Sequence, residues 1–141
     1  MSEEIRILAI DYGTRRVGVA VSDPTGQIAQ GLPTLSHGGL AHAASLVADL
    51  VRKYGAKTVV VGLPLGMHGR KTEATKQVEK FIQKLATLVS VPVVPWDERL
   101  TSVAAERAMH EMGSSPSRNR GKVDQVAAVL LLQGYLDSGR R

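Results

Sequence analysis

Ile5-Arg6-Ile7-Leu8-Ala9-Ile10-Asp11-Tyr12-Gly13-Thr14, followed by Val17-Gly18-Val19-Ala20-Val21, is the stretch on which the fold turns. The segment from Ile5 to Ile10 is apolar except for Arg6 and runs straight into a polar turn containing glycine, which predicts a strand and its exit. In the next segment Val17, Val19 and Val21 alternate with Gly18 and Ala20, so valines line one face of a second strand and small residues the other. Asp23-Pro24-Thr25-Gly26 then sets Asp, Pro and Gly at the first, second and fourth positions of a type I turn. A third strand is expected over Gln27 to Leu32. Short turns between these strands imply an antiparallel meander.

Beyond it the period changes. Leu40, Ala43, Ala44, Val47, Leu50, Val51 and Tyr54 recur at helical spacing, and Gly55 is a stop signal. Thr58 to Val61 is a continuous β-branched run before Gly62-Leu63-Pro64, as expected of a parallel strand buried on both faces. Val78, Phe81, Ile82, Leu85 and Leu88 mark a second amphipathic helix. Val91 to Val94 predicts a fifth strand with Asp97-Glu98-Arg99 as its polar end. Thr101 or Ser102 then caps a helix reaching about Met112. Gly113 to Gly121, rich in Ser, Pro and Arg, reads as a mobile loop, and Val123 to Leu136 as a closing helix. No repeat or linker divides this order. The expectation is one α/β domain over residues 1–141: a mixed five-stranded sheet, three antiparallel strands then two parallel ones, flanked by helices. That is an RNase H-like arrangement.

The 141-residue length suits one compact core, and a formal net charge of +5 favours polyanionic partners such as RNA or DNA. Cysteine is absent, which excludes disulfides, thiolate catalysis and sulfur-ligated metals and fits a reducing compartment. The N-terminus lacks the pattern of a secretory signal, and the longest apolar run, Val126 to Leu132, is too short to span a bilayer. A cytoplasmic protein with no membrane partner is expected.

Asp11 closes the first strand, Glu98 the fifth, and Asp124 opens the last helix. Singly, each has an ordinary explanation: a local turn, a solvated acid, a helix N-terminus. Together they suit Mg²⁺ or Mn²⁺, hard ions that choose carboxylate oxygens, and two such ions about 4 Å apart can serve both ends of an in-line displacement at phosphorus. Asp97 adjoins Glu98, and adjacent strand residues point to opposite faces, so only one of the two faces the site, and spacing does not say which. His37, His42, His68 and His110 lack the paired spacing of a helical metal site and are assigned surface or packing roles.

These residues carry a resemblance. Asp11 through Ala20, Val61-Gly62-Leu63-Pro64-Leu65, Asp97-Glu98-Arg99-Leu100-Thr101, and Asp124 through Gln133 resemble the YqgF (RuvX) family over essentially the whole chain. Members of that family are described as Holliday-junction resolvases and as cytoplasmic nucleases of pre-16S ribosomal RNA processing. The resemblance implies an RNase H-like fold and metal-binding catalytic roles for Asp11, Glu98 and Asp124, and it selects Glu98 over Asp97. Gly66-Met67-His68-Gly69 departs from the family's tendency toward an asparagine and an acid in this loop.

The expected activity is metal-dependent hydrolysis of phosphodiester bonds in an RNA precursor, with branched DNA as the alternative substrate. Arg15, Arg16, Arg118, Arg120 and Lys122 are the candidate nucleic-acid contacts. Junction resolution would require a homodimer with two symmetric sites, whereas RNA processing does not. Two rivals are weaker. An actin-like ATPase would need a second lobe, and alternating valines follow Gly13 where a dinucleotide-binding fold would begin a helix. A noncatalytic RNA-binding protein gains nothing from clustered carboxylates, which repel phosphate unless metal is bound.

Overall fold

The structure, a computed structural model, describes residues 4–100 and 120–139, residue 120 by its backbone alone. Its elements are β1 (Ile7–Tyr12), β2 (Arg16–Ser22), β3 (Ala29–Ser36), α1 (Leu40–Tyr54), β4 (Thr58–Leu63), α2 (Glu73–Leu88), β5 (Val93–Asp97) and α3 (Arg120–Asp137). Short 3₁₀ turns cover Met67–Gly69 and Glu98–Leu100. The five strands lie in the order β3-β2-β1-β4-β5, with β1–β2 and β2–β3 antiparallel and β1–β4 and β4–β5 parallel. This is the mixed sheet expected from the sequence.

Alternation along β1 decides which residues meet which layer. Leu8 and Ile10 join Val17, Val19, Val21, Val59 and Val61 in a core closed by α1 and α2, with Phe81 fully buried. Ile7 and Ala9 point the other way, with Ala20 and Val60, against Ala128, Leu131, Leu132 and Tyr135 of α3. Continuing the period, Asp11 faces the α3 layer at the end of β1. Burying side chains on both faces explains why β1 and β4 read as unbroken apolar runs.

Helix α1 has the bounds its periodicity predicts and ends at Gly55 in the left-handed conformation. The turn after β2 closes with the Gly26 amide donating to the Asp23 carbonyl at 2.9 Å, as its composition predicts.

Other boundaries differ. β3 runs to Ser36 rather than Leu32, past Pro33. Its register against β2 passes from Val19↔Leu32 to Val17↔Leu35, so Pro33 and Thr34 together oppose Gly18 in a bulge. An edge strand tolerates a proline there because a bulge does not need its missing N–H. β5 starts at Val93 and extends through Pro95 to Asp97, again on a sheet edge, so Asp97 is a strand residue. Helix α2 begins five residues before Val78, at Glu73, because Thr72 and Thr75 form a reciprocal capping box.

α3 begins at Arg120, so Arg120 and Gly121 are helical rather than the end of the expected loop, and Asp124 lies in the second turn rather than at the opening. The cap at Thr101 or Ser102, the helix to Met112, residues 113–119 and His110 lie outside the described residues. Among the described residues, no helix is long and apolar enough to cross a membrane.

Candidate active site

The site forms where β1, β2 and β4 present one row of positions to α3. Asp11 pairs with Gly18 on β2 and lies one residue beyond the Ile10↔Val61 pair, level with Gly62 on β4. The acid is thus flanked on both neighbouring strands by residues without side chains. Each gap is used. A Cβ on Gly18 would overlap the backbone carbonyl of Asp124 and stand 3.2 Å from its Cβ, so the glycine lets α3 bring Asp124 down onto the sheet. A Cβ on Gly62 would stand 2.8 Å from Oε1 of Glu98. From the sequence, Gly18 reads as one of the small residues on a strand face and Gly62-Leu63-Pro64 as a strand exit whose amides could approach a phosphate; the close approach of an acid to each glycine is a finding of the structure, although glycine inside a strand pattern is a recognised sign of it.

Asp11 and Glu98 are 5% and 8% exposed, and both line a pocket of about 200 Å³ together with Gly62, Thr14 and Gln77. Gln77, from the first half of α2, had no signal in the sequence beyond its place on a helix. The choice between Asp97 and Glu98 is made by Arg99. Its backbone amide donates to Asp97 Oδ1 at 2.9 Å, and its guanidinium donates to both carboxylate oxygens, at 2.8 Å from Nη2 to Oδ2. The guanidinium hydrogen bond holds the Asp97 carboxyl below its ordinary range; burial opposes this, and the amide adds to it. Asp97 is committed to that pair, and Glu98 turns to the pocket.

Asp124 lines an adjoining pocket with Arg15 and Arg16, and Gly13 and Thr14 border both pockets. Arg16 Nε donates to Asp124 Oδ2 at 2.9 Å. The helix carrying Asp124 is tied to the sheet edge: Gln125 Nε2 donates to the Leu32 carbonyl at 2.9 Å, and Gln133 Oε1 accepts from the Ala29 amide at 3.0 Å. The structure therefore puts Asp11 and Glu98 in one pocket and Asp124 beside it. Among the described residues, no group of three His, Asp or Glu is gathered closely enough to hold a metal ion. In donor chemistry the set fits a hard divalent cation, with two nearly buried carboxylates facing a shared space and a third at its border.

The loop between β1 and β2 is held from behind. His37 Nδ1 accepts from the Gly39 amide at 3.1 Å, so its Nε2–H donates to the Gly13 carbonyl at 2.8 Å. Tyr12 stacks between His37 and Phe81, with ring centroids 5.7 and 4.6 Å away, and burial raises its phenol pKa. The packing role expected of His37 is met here. Arg15 is exposed and lines the pocket beside Asp124, and Lys122 is exposed on α3 two residues before Asp124. Arg118 lies outside the described residues, as does the side chain of Arg120.

A three-stranded antiparallel meander followed by two parallel strands, with an acid near the end of the central strand, has the RNase H-like fold. The chain superposes on Thermus thermophilus RuvC in complex with a Holliday junction substrate with a TM-score of 0.61 and 16% identity, covering 96% of this chain and 97% of that one. Fowlpox virus resolvase, solved with Holliday junction DNA, gives a TM-score of 0.58 at 13% identity over 97% and 100% of the two chains.

Within that class the chain belongs to the RuvX family, whose model, described as Holliday junction resolvase, matches residues 5–138. Among curated relatives, a protein of Ruminiclostridium cellulolyticum is 45% identical over 134 residues, covering 94% of each chain. One of Moorella thermoacetica is 46% identical over 133 residues, covering 94% of this chain and 95% of its own. Both carry the name "Putative pre-16S rRNA nuclease".

Proposed function

We propose that this protein is a metal-dependent nuclease that hydrolyses phosphodiester bonds in precursors of 16S ribosomal RNA, acting in the cytoplasm as a single domain over residues 1–141. The observation that carries the reading is the placement of Asp11 and Glu98, two acids 87 positions apart in the chain, nearly buried in one pocket. Nearly buried carboxylates that line one pocket are donors of the kind a hard divalent cation takes, and such acids cluster at functional sites. The rRNA substrate is supported by relatives of 45–46% identity that bear that name over nearly the whole chain.

In this reading Asp11, Glu98 and Asp124 hold Mg²⁺ or Mn²⁺, and such an ion supplies Lewis acidity for the phosphoryl oxygens and an activated water when bound. The residues of the chain do the rest. Asp11 and Glu98 fix the reaction axis, because each is set by a rigid strand or the turn directly after it. Arg15, Arg16 and Lys122 attract and orient the phosphate backbone beside the acids, a role for which the sequence also offers Arg118 and Arg120. Gln77 and Thr14 offer neutral hydrogen bonds to a phosphate or a water inside the pocket. Hydrolysis joins the water oxygen to phosphorus as the bond to the leaving oxygen breaks, and that oxygen leaves with a proton.

A second reading, resolution of branched DNA, is favoured by the description of the matching family. It needs two sites in a symmetric dimer. One experiment tests both: purified protein is offered a pre-16S rRNA fragment and a four-way DNA junction with Mg²⁺, Mn²⁺, Ca²⁺ or chelator. The expected result is cleavage of the RNA with Mg²⁺ or Mn²⁺, little with Ca²⁺, whose looser coordination holds a water less well, and none with chelator. Paired symmetric cuts in the junction alone would give the site to the second reading. Full activity in chelator would remove the metal.

A further inference from the structure

Arg16 and Asp124 lie 108 positions apart in the chain and meet at the border of the acid pocket. Arg16 opens β2, and alternation through Gly18 and Ala20 directs it to the α3 side of the sheet. Its Nε reaches Asp124 Oδ2 at 2.9 Å, with the two side chains 32% and 21% exposed. A guanidinium thus stands at a carboxylate that the proposed function assigns to a divalent cation. The two positive groups compete for the same oxygens, and at a few ångströms they repel each other. A partly exposed ion pair is weak enough to exchange.

We infer that Arg16 is an exchangeable counter-ion, a positioning residue that holds Asp124 until a divalent cation takes the carboxylate and then turns its guanidinium to a phosphate of the nucleic acid strand. The inference rests on the reading of Asp124 as a metal ligand. Its physical content is a coupling between two ligands. A cation displaces Arg16 and so creates a phosphate contact, while a phosphate draws Arg16 away and so releases an anionic ligand for the cation. Linkage makes the two effects equal. Arginine suits the task, since its planar fork pairs equally well with carboxylate and phosphate oxygens.

The test measures binding rather than turnover, on the full chain. Mn²⁺ is titrated calorimetrically into wild type, Arg16→Gln, Arg16→Lys and Asp124→Asn, with circular dichroism to confirm folding. A fluorescent single-stranded RNA oligonucleotide is then titrated with and without Ca²⁺. Arg16→Gln is expected to bind Mn²⁺ about two- to fivefold more tightly than wild type, because a competitor of ordinary ion-pair strength has gone. It should also lose much of the Ca²⁺-dependent gain in RNA affinity. Arg16→Lys, which keeps the charge but loses the Nε donor, should also bind Mn²⁺ more tightly than wild type, and it carries the test if Arg16→Gln does not fold. Unchanged or weaker Mn²⁺ binding in the folded Arg16 variants, with weaker binding in Asp124→Asn, overturns the exchange and leaves the metal site standing. Unchanged Mn²⁺ binding in Asp124→Asn overturns both.

Discussion

Gly62 and Glu98 meet so closely that a single methyl group between them would displace the carboxylate: a Cβ on Gly62 would stand 2.8 Å from Oε1 of Glu98 and 3.2 Å from Leu131 Cδ2. Gly18 has the same relation to Asp124, but there the obstacle is the backbone carbonyl of α3. The two glycines should therefore respond differently to alanine. Gly18→Ala forces a helix off the sheet and should cost about 1–3 kcal/mol in denaturant unfolding. Gly62→Ala meets the movable end of a side chain and should cost about 1 kcal/mol or less, while cleavage falls sharply because Glu98 is pushed aside. Equal losses of stability in the two variants would show that Glu98 is as rigid as the helix backbone.

Asp11→Asn keeps the shape of a nearly buried side chain and removes one of two negative charges from the pocket. Without metal, the variant should be as stable as wild type or slightly more so, by about 1 kcal/mol at most. Cleavage should be almost abolished, since a neutral amide is a poorer ligand for a hard cation. Melting curves with and without Mn²⁺ complete the test, with wild type gaining more from the ion than the variant. Retained turnover in a folded Asp11→Asn protein would remove Asp11 from the site.

Acid should unfold the protein partly through two carboxylates that the fold keeps ionised. The Asp23 carboxyl is held well below its ordinary range, first by the Thr25 hydroxyl and then by the Ile28 and Gln27 amides, and Asp97 is held low by Arg99. Both groups bind protons more weakly in the folded chain than in the unfolded one. Their contribution is complete above the unfolded value of about 3.9 and is lost as pH falls through the folded values. Asp97→Asn and Asp23→Asn should each flatten the fall of Tm with pH below about 4. The observation that would count against this is an acid limb identical to that of wild type.

Phosphate contacts at the rim should appear in the salt dependence of binding. Arg15 and Lys122 are both exposed, one beside Asp124 in the adjoining pocket and the other two residues before it on α3. Replacing both by alanine should weaken binding to single-stranded RNA at low salt and make the log–log salt slope shallower by about 1.4 units if each neutralises one phosphate. A slope that does not change would make them ordinary solvated charges.

By itself the sequence determined the layers and the meander, because these are written in local periodicity. Leu8 and Ile10 alternate with Ile7 and Ala9, Leu40 to Tyr54 repeats at helical spacing, and Gly55 ends that run where the structure ends it. The position of Asp11 at the end of the central strand was legible for the same reason. Glu98 and Asp124 stood out as acids beside predicted elements, and the resemblance to a family chose Glu98 over its neighbour. Only the tertiary structure supplied the physical cause of that choice, since the Arg99 fork on Asp97 depends on where the strand stops and the 3₁₀ turn begins. The row Gly18, Asp11, Gly62 exists only once β2 and β4 take their registers on either side of β1. The pairing of Arg16 with Asp124 needs α3 docked across β2, with Gly18 allowing the approach. Periodicity reaches a few residues along the chain; register and helix docking bring together groups about a hundred residues apart, and the chemistry of this site lies in those meetings.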